Sequence, residues 1–433
     1  MVTMHDTSVS GATSDSSNAG GLKNSRHFIT PGVSKPIFEA IKKKSIPARE
    51  RLCVLLLDEI DLAPHLDYLP KEDYIIGFED TGWSRNQLVA DTALVFMLRS
   101  IYGNWKQPVA FAFHDYPLNQ KTQIRFIKEI AKEAKQAGLN LIALVCTHCD
   151  HNVKAIDCLL EESKSAHTID LDGHQVVPLL DPGSLLLVTR NLFCENNLQF
   201  VKDGISKLAQ WQHLVQAHKI DSERSNYLAK ITKSHLLPES MNLTKCVQTL
   251  SGTFAGFLNT IAGKTSLPVE ATQTADLLFF LDKVLDSLNG TMEQDIHKPL
   301  RGPITELSPH SKFWSEAREV FKQMTLPGGD RGNSFAKWVR TFDAFEVIKE
   351  KILGLGYDSF PARSFNLEPL QNCFDLLSEQ AGSTGCENRL TCKKFSVFYN
   401  LALRSKDMAS RRATEPKCEP DGLNFLLTVE DLS

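Results

Sequence analysis

The sequence predicts an α/β fold, a mixed sheet with flanking helices interrupted by a mostly α-helical insertion domain. Three observations carry this expectation. Short apolar segments with β-branched and aromatic residues crowd together from 52 to 113, helix and strand patterns alternate from 120 to 180, and beyond Leu192 the texture turns helical.

The elements follow in order. Residues 1–27 are dominated by Ser, Gly, Thr and Asn, cannot offset the entropy of ordering, and are expected to be a disordered N-terminus. Lys42, Lys43, Lys44, Arg49 and Arg51 form a basic cluster that reads as a solvated helix end or as a phosphate contact. Strand candidates come next at 52–57, 74–78, 92–98 and 109–113, separated by turn-rich pieces such as Asp80-Thr81-Gly82. Residues 120–137 place Ile124, Ile127, Ile130, Ala131 and Ala134 at helical spacing, close on Gly138, and lead into an apolar strand at 139–146. A helix at 152–162 and a strand at 174–180 complete the alternation. Helical stretches are then expected at 197–213, 243–262, 271–288, 312–324 and 335–353, with a last compact piece at 365–403 and a flexible tail at 406–433. Domain organisation is accordingly expected as 28–195 and 356–405 for the two parts of the sheet domain, with 196–355 as the insertion.

Composition narrows the class. With 433 residues, 42% hydrophobic and 23% charged, the chain can bury a large core. No apolar run reaches the roughly 20 residues of a membrane span. A net charge of −4 supplies no general field for nucleic acid. Ten scattered cysteines with no signal peptide ahead of them indicate a reducing compartment. Cys146-Thr147-His148-Cys149-Asp150-His151 has metal-like spacing, but adjacent His148 and Cys149 point apart, which favours structural cysteines at a strand end. The five tryptophans sit singly in apolar neighbourhoods and read as packing residues.

The run Leu52-Cys-Val-Leu-Leu-Leu57 delivers Asp58 into the fold interior, with Glu59 and Asp61 read as structural or exposed neighbours. A buried carboxylate requires a donor, a cation or a metal beside it. Strands, helix, strand, helix, strand with an acid on the first strand is the layout of an RNase H-like core, in which three acids hold two Mg²⁺ ions for phosphodiester cleavage. At the end of the 139–146 strand, however, stands Thr147. Asp150 lies three positions later and can substitute only if that strand end is bulged. In the last compact piece the only candidate stretch is Asn366-Leu-Glu368-Pro-Leu-Gln371-Asn-Cys-Phe374, with Glu368 as its acid.

Leu-Leu-Leu-Asp58-Glu59-Ile, Trp105-Lys-Gln-Pro108, Ala143-Leu-Val-Cys146, Asp181-Pro182 with Thr189-Arg190-Asn191, Asp286-Ser-Leu-Asn289 and Leu-Gln371-Asn372-Cys-Phe374 closely resemble the P-element and THAP-type transposase family, in order, over roughly 30 to 405. The resemblance implies an RNase H-like catalytic domain, a GTP-binding insertion, a DNA substrate, a nuclear location, and an Asp, Asp, Glu triad. Mapped here, the triad is Asp58, Thr147 and Gln371, so two of three acids are replaced. Each charge pair lost near 4 Å weakens ion binding by about 4 kcal/mol at a partly buried dielectric. The resemblance further implies nucleotide contacts at Lys245, Asp286, Asn289 and Glu368. Read from the residues alone, Asn289-Gly290 serves equally as a helix C-terminal cap. Ser184 stands where the family has a histidine, and residues 1–50 hold no cysteine for the family's zinc-coordinating DNA-binding module.

The expectation is therefore a transposase-derived protein, domesticated or decaying, that lacks transposase activity and acts as a nucleotide- or partner-binding module. Mg²⁺ is expected to be weak or lost at Asp58, and GTP is the candidate ligand of the insertion. The alternative is an active metal-dependent DNA transposase using Asp58, Asp150 and Glu368.

Overall fold

The computed structural model describes residues 29–70, 73–224, 231–237, 242–327, 335–382, 389–403, 425–427 and 431. The expected disordered N-terminus at 1–27 lies outside them.

A mixed sheet of nine strands organises the first part of the chain. In sequence order these are β1 (Gly32–Val33), β2 (Leu52–Asp61), β5 (Phe78–Asp80), β6 (Arg85–Val89), β7 (Thr92–Ser100), β8 (Lys106–His114), β9 (Asn140–Cys146), β10 (Ile169–Leu171) and β11 (His174–Leu180), while β3 (Asp67–Leu69) and β4 (Tyr74–Ile76) form a separate hairpin. Spatially the order is β10-β11-β9-β2-β7-β8-β5-β6, with β1 on β8. β2 pairs antiparallel with β7 and parallel with β9, which in turn pairs parallel with β11. This is an RNase H-like sheet, and its central strands read as continuous apolar runs because both faces are covered.

The register assigns the faces. Asp58 pairs with Val95, which pairs with Phe111, and Phe111 packs on Phe395 and Tyr399 of α13 (Cys392–Ala402). Phe96 lies on the opposite face, stacked 5.2 Å from Phe126 of α2 (Gln120–Gln136). Side chains alternate along a strand, so Asp58 looks toward the C-terminal helices and Glu59 toward α2 and α3 (Asp150–Ser163).

The crossovers formed as expected, with α2 ending one residue before Ala137 and Gly138 in the left-handed region at φ 77°. Of the basic cluster, Lys42, Lys43 and Lys44 fall at the end of α1 (Lys35–Lys43), the solvated helix end of the sequence reading, whereas Arg49 and Arg51 lie in a short turn at Ala48–Arg51, where Arg49 stacks on Tyr102 and Arg51 donates to the Ile46 and Gly138 carbonyls. The strand expected at 74–78 is split at Gly77, whose φ is 122° and where a Cβ would lie 2.0 Å from the His65 carbonyl oxygen. A helix not foreseen, α4 (Pro182–Glu195), starts on Asp181.

The expected helix at 197–213 is corrected. Residues there form a hairpin, β12 (Leu198–Lys202) and β13 (Ile205–Ala209), before α5 (Trp211–Arg224). Asp203 and Gly204 supply positive φ values of 55° and 74°, the chemistry of a tight hairpin turn, and Leu198 and Phe200 alternate inward. The helix expected at 243–262 is two: after the short α6 (Lys233–Leu236) come α7 (Leu243–Thr249) and α8 (Gly252–Ile261), broken where Ser251 caps the Phe254 amide. Then follow α9 (Ala271–Leu288), β14 (Ile304–Thr305), α10 (His310–Lys322), α11 (Ala336–Gly354), β15 (Ser359–Phe360) and α12 (Glu368–Gly382). Trp338 of α11 donates to Thr189 of α4 at 2.9 Å, and Trp314 of α10 donates to Ser287 of α9 at 3.1 Å, so these two tryptophans pack as read from the sequence.

Of the stretch expected as a flexible tail, residues 425–427 lie against the start of β8. No helix among the described residues is long and apolar enough to cross a membrane.

The packing of Phe395 on Phe111, Phe113 and Tyr399 makes α13 part of the first core despite its distance in sequence. Phe395→Ala is expected to lower the unfolding free energy by about 3–5 kcal/mol in urea titration of the full chain. A loss below about 1 kcal/mol, the level of a peripheral contact, would show that α13 lies outside that core.

Candidate functional site around Asp58 and the end of the insertion helix

Asp58 is 9% exposed at the end of the apolar run of β2. Burial pushes its carboxyl up to about 7 from the usual carboxylate range, the Glu59 amide at 2.9 Å and the Gln371 side chain pull it down, and the nearby Asp181 and Glu59 charges push it up again. Gln371, on the second turn of α12, is thus a hydrogen-bond partner of Asp58 where the triad would have its glutamate. Asp181 caps α4 through the Ser184 amide at 2.6 Å and receives the Leu367 amide at 2.9 Å, so each of its oxygens already accepts a backbone N–H. It ties the start of α4 to the approach to α12 beside Asp58. In the sequence Asp181 stands out only as part of the Asp181-Pro182 motif.

Thr147 turns away from this group. Its hydroxyl lies 2.9 Å from the Asn152 amide nitrogen and 3.1 Å from the Cys149 sulfur, within the first turn of α3. Asp150 is not brought to Asp58. The register of β2 with β9 shifts once, between Cys53 and Val54, and is regular from there to Leu57 and Cys146, so the strand end itself is not bulged and Asp150 points to solvent, its side chain 89% exposed and 4.0 Å from Lys337. Glu368, one turn before Gln371, is buried beside Asp181 and Asn289 around a cavity of about 10 Å³, room for roughly one water. Asp58, Asp150 and Glu368 therefore do not assemble as a triad.

On the other face of the sheet Glu59 makes a second ionic group. Burial alone would raise its pKa, but His114 at 3.4 Å and His151 at 3.3 Å hold it down at about 2. His151 is raised to about 10, first by its contact with Cys149 at 3.5 Å and then by Glu59. Cys149, His151, Glu59 and His114 form a line rather than a cage. Among the described residues no group of three or more His, Cys, Asp or Glu side chains is placed to hold a metal ion. Glu59, read from the sequence as structural or exposed, is thus the centre of a charge network that strand alternation signals: the residue after Asp58 must face α3.

In the insertion, the end of α9 carries Asp286 and Asn289. Asp286 is buried; its Oδ1 accepts from Arg301 at 2.9 Å and its Oδ2 from Lys298 at 3.2 Å, and Lys298 also reaches Asp282 at 3.1 Å. Asn289 Oδ1 accepts from the Asn366 amide at 3.1 Å and from Arg363 at 3.3 Å, which links α9 to the segment before α12. An open cleft of about 1060 Å³ adjoins Asp286, Asn289, Arg301 and Arg363. Lys245 lies on α7, two residues after Leu243, which lines the small cavity shared by Asn289 and Glu368.

Residues 29–160 match a family model described as the TNP-like RNase H N-terminal domain, and residues 184–298 match one described as the TNP-like GTP-binding insertion domain; together they span more than half of the chain. The chain belongs to the P-element transposase-like family. A solved structure, the Drosophila P element transposase strand transfer complex, is similar over 87% of this chain and 83% of that chain, at 16% identity and a TM-score of 0.71, and shares the fold. No curated protein matches the chain.

Paired Mg²⁺ ions require several charged oxygens in octahedral arrangement. Around Asp58 stand one carboxyl group with a raised pKa, a neutral carboxamide, and an Asp181 whose oxygens are committed to backbone amides. This donor set does not fit a two-ion site.

Because the folded pKa of Asp58, about 7, lies above the ordinary carboxylate range near 4, its contribution to stability is complete below about pH 4 and is lost as pH rises through 7. Asp58→Asn, which cannot ionise, is therefore expected to gain on the wild type by a few kcal/mol between pH 4 and pH 8, read as the difference in unfolding free energy. A difference that stays constant across that range would contradict the raised pKa.

Proposed function

We propose that this chain is a transposase-derived protein that does not carry out strand transfer and that acts through its insertion as a nucleotide- or partner-binding module. The observation that supports this most directly is the pairing of Asp58 with the Gln371 carboxamide, while Thr147 is engaged by the first turn of α3. A carboxamide donor satisfies the buried acid without an ion, and the remaining negative charge is too low to draw two divalent cations. In this reading the RNase H-like unit, 28–195 with 356–405, is retained as a scaffold for the insertion, 196–355.

The nucleotide of the proposal is GTP, contacted by Lys245, Asp286, Asn289 and Glu368. A carboxylate matches guanine because the base presents two N–H donors on one edge, but Asp286 reaches them only when Arg301 and Lys298 release it. Binding is thus weak, with the ion pairs as internal competitors. We place the protein in the nucleus on family grounds, with DNA as a partner through surfaces other than a zinc-coordinating module.

Two readouts test this. In a supercoiled-plasmid assay with Mg²⁺ or Mn²⁺, the wild type is expected to nick no more than Asp58→Ala; metal-dependent nicking abolished by that change would overturn the inactive reading and restore the transposase alternative. Millimolar GTP is expected to raise the melting temperature of the wild type by a degree or more and to leave Lys245→Ala unmoved. If neither GTP nor GDP shifts the wild type, the nucleotide part of the proposal fails.

A further inference from the structure

One helix of the sheet domain carries a row of cations on the face it turns away from the core. α2 buries Ile124, Phe126, Ile127, Ile130, Ala131 and Ala134, and leaves Lys121, Arg125, Lys128, Lys132 and Lys135 exposed. Alternating steps of four and three residues keep all five within an arc of roughly 80° and spread them over about 21 Å of helix. Glu129 and Glu133, the acids of α2, are half-buried and sit roughly 80–120° round the helix from Lys121, off that row. In a chain with a net charge of −4 this is a local concentration of positive charge, not part of a general field.

The chain itself engages these cations only lightly. Arg125 lies over the Trp83 ring at 4.2 Å, Lys128 meets Glu162 at 2.5 Å with both side chains 48% exposed, and Lys135 meets Asp172 at 3.6 Å. Exposed pairs of this kind are weak and exchange readily for another anion. Lys121 and Lys132 enter no ion pair among the described residues. Neighbouring cations of the row, about 5–6 Å apart, lie inside a Debye length of about 8 Å, so their fields add. A matching partner presents several negative charges in a line on a stiff frame. A nucleic-acid duplex does so with one phosphate per 3.4 Å of axis on each strand, and the row spans about six of them. A membrane surface fits less well, because the apolar side chains that would insert are already in the core.

We propose that the exposed face of α2 is a sequence-independent docking surface for the phosphate backbone of duplex nucleic acid, with Lys121 and Lys132 as its principal contacts. This surface lies across the sheet from Asp58: Phe126 of α2 stacks on Phe96, whereas Asp58 looks toward α13. A duplex held there is on the back of the sheet relative to the triad position and needs neither a metal ion nor a nucleotide to bind. The inference rests on the reading of DNA as a partner and gives that partner a place on this chain.

The test measures binding of the full chain to a fluorescein-labelled duplex of about 20 base pairs, longer than the row, by anisotropy in EDTA across a salt series. The wild type is expected to bind two unrelated sequences alike, with a slope of log affinity against log salt of about −4. Lys121→Gln combined with Lys132→Gln is expected to weaken binding at least fivefold and to reduce the slope by about 2. Lys264→Gln combined with Lys312→Gln, which removes the same charge from exposed positions of the insertion, is expected to change neither. If the wild type binds duplex and the two double variants behave alike, the α2 surface is refuted while the DNA reading stands; if the wild type binds no duplex, both fall. Polyglutamate that displaces the label as well as unlabelled duplex does, or phosphatidylserine vesicles that bind more tightly than duplex, would overturn the choice of partner.

Discussion

Two adjacent carboxylates at the end of one buried strand set the terms for the rest of this structure. β2 is apolar from Leu52 to Leu57 and then presents Asp58 and Glu59 on opposite faces of the sheet. Neither can remain ionised in the interior without partners. Asp58 is met by a backbone amide and by Gln371, which fixes α12 against β2, and Glu59 is met by His114 and His151, which fixes the start of α3 against the end of β8. The helices on both sides of the sheet are thus anchored at the same point of one strand.

The insertion solves the same problem with different groups. Asp282 and Asp286 are buried on α9 and are matched by Lys298 and Arg301, which fold the following segment back onto the helix. Asn289 then bridges to Asn366 and Arg363, next to the residues that Asp181 holds. The end of the insertion helix and the triad position on α12 are therefore coupled through short polar contacts. In a P-element transposase-like fold that coupling would link a nucleotide site to a catalytic one. Here it links two sets of acids that are already satisfied internally.

Much of this was legible in the residues. The apolar strand ending in Asp58, the α2 crossover closed by Gly138, and the replacements at Thr147 and Gln371 could be read directly, because burial pattern, helical spacing and motif order are local properties. Other features depended on tertiary placement. Asp203-Gly204 is a hairpin turn, but the flanking residues have enough helical spacing to mask the two-residue alternation of Leu198 and Phe200. Asp150 could be judged only once the end of β9 proved regular. The role of Glu59 is hidden in the sequence because its two histidines come from 55 and 92 positions downstream, at His114 and His151. Asp286 matched its motif, yet its cationic partners could not be assigned without the fold of the segment around Lys298.

The central claim is that the partner of Asp58 is now a hydrogen-bond donor rather than a metal ion. It is tested most directly by following the Asp58 side-chain carboxyl carbon by ¹³C NMR across pH, with and without millimolar Mg²⁺, and assigning the signal with Asp58→Asn. The account predicts a titration centred at about 7 that millimolar Mg²⁺ does not move. A titration shifted into the ordinary carboxylate range by Mg²⁺ would show that the ion still binds there and would contradict it.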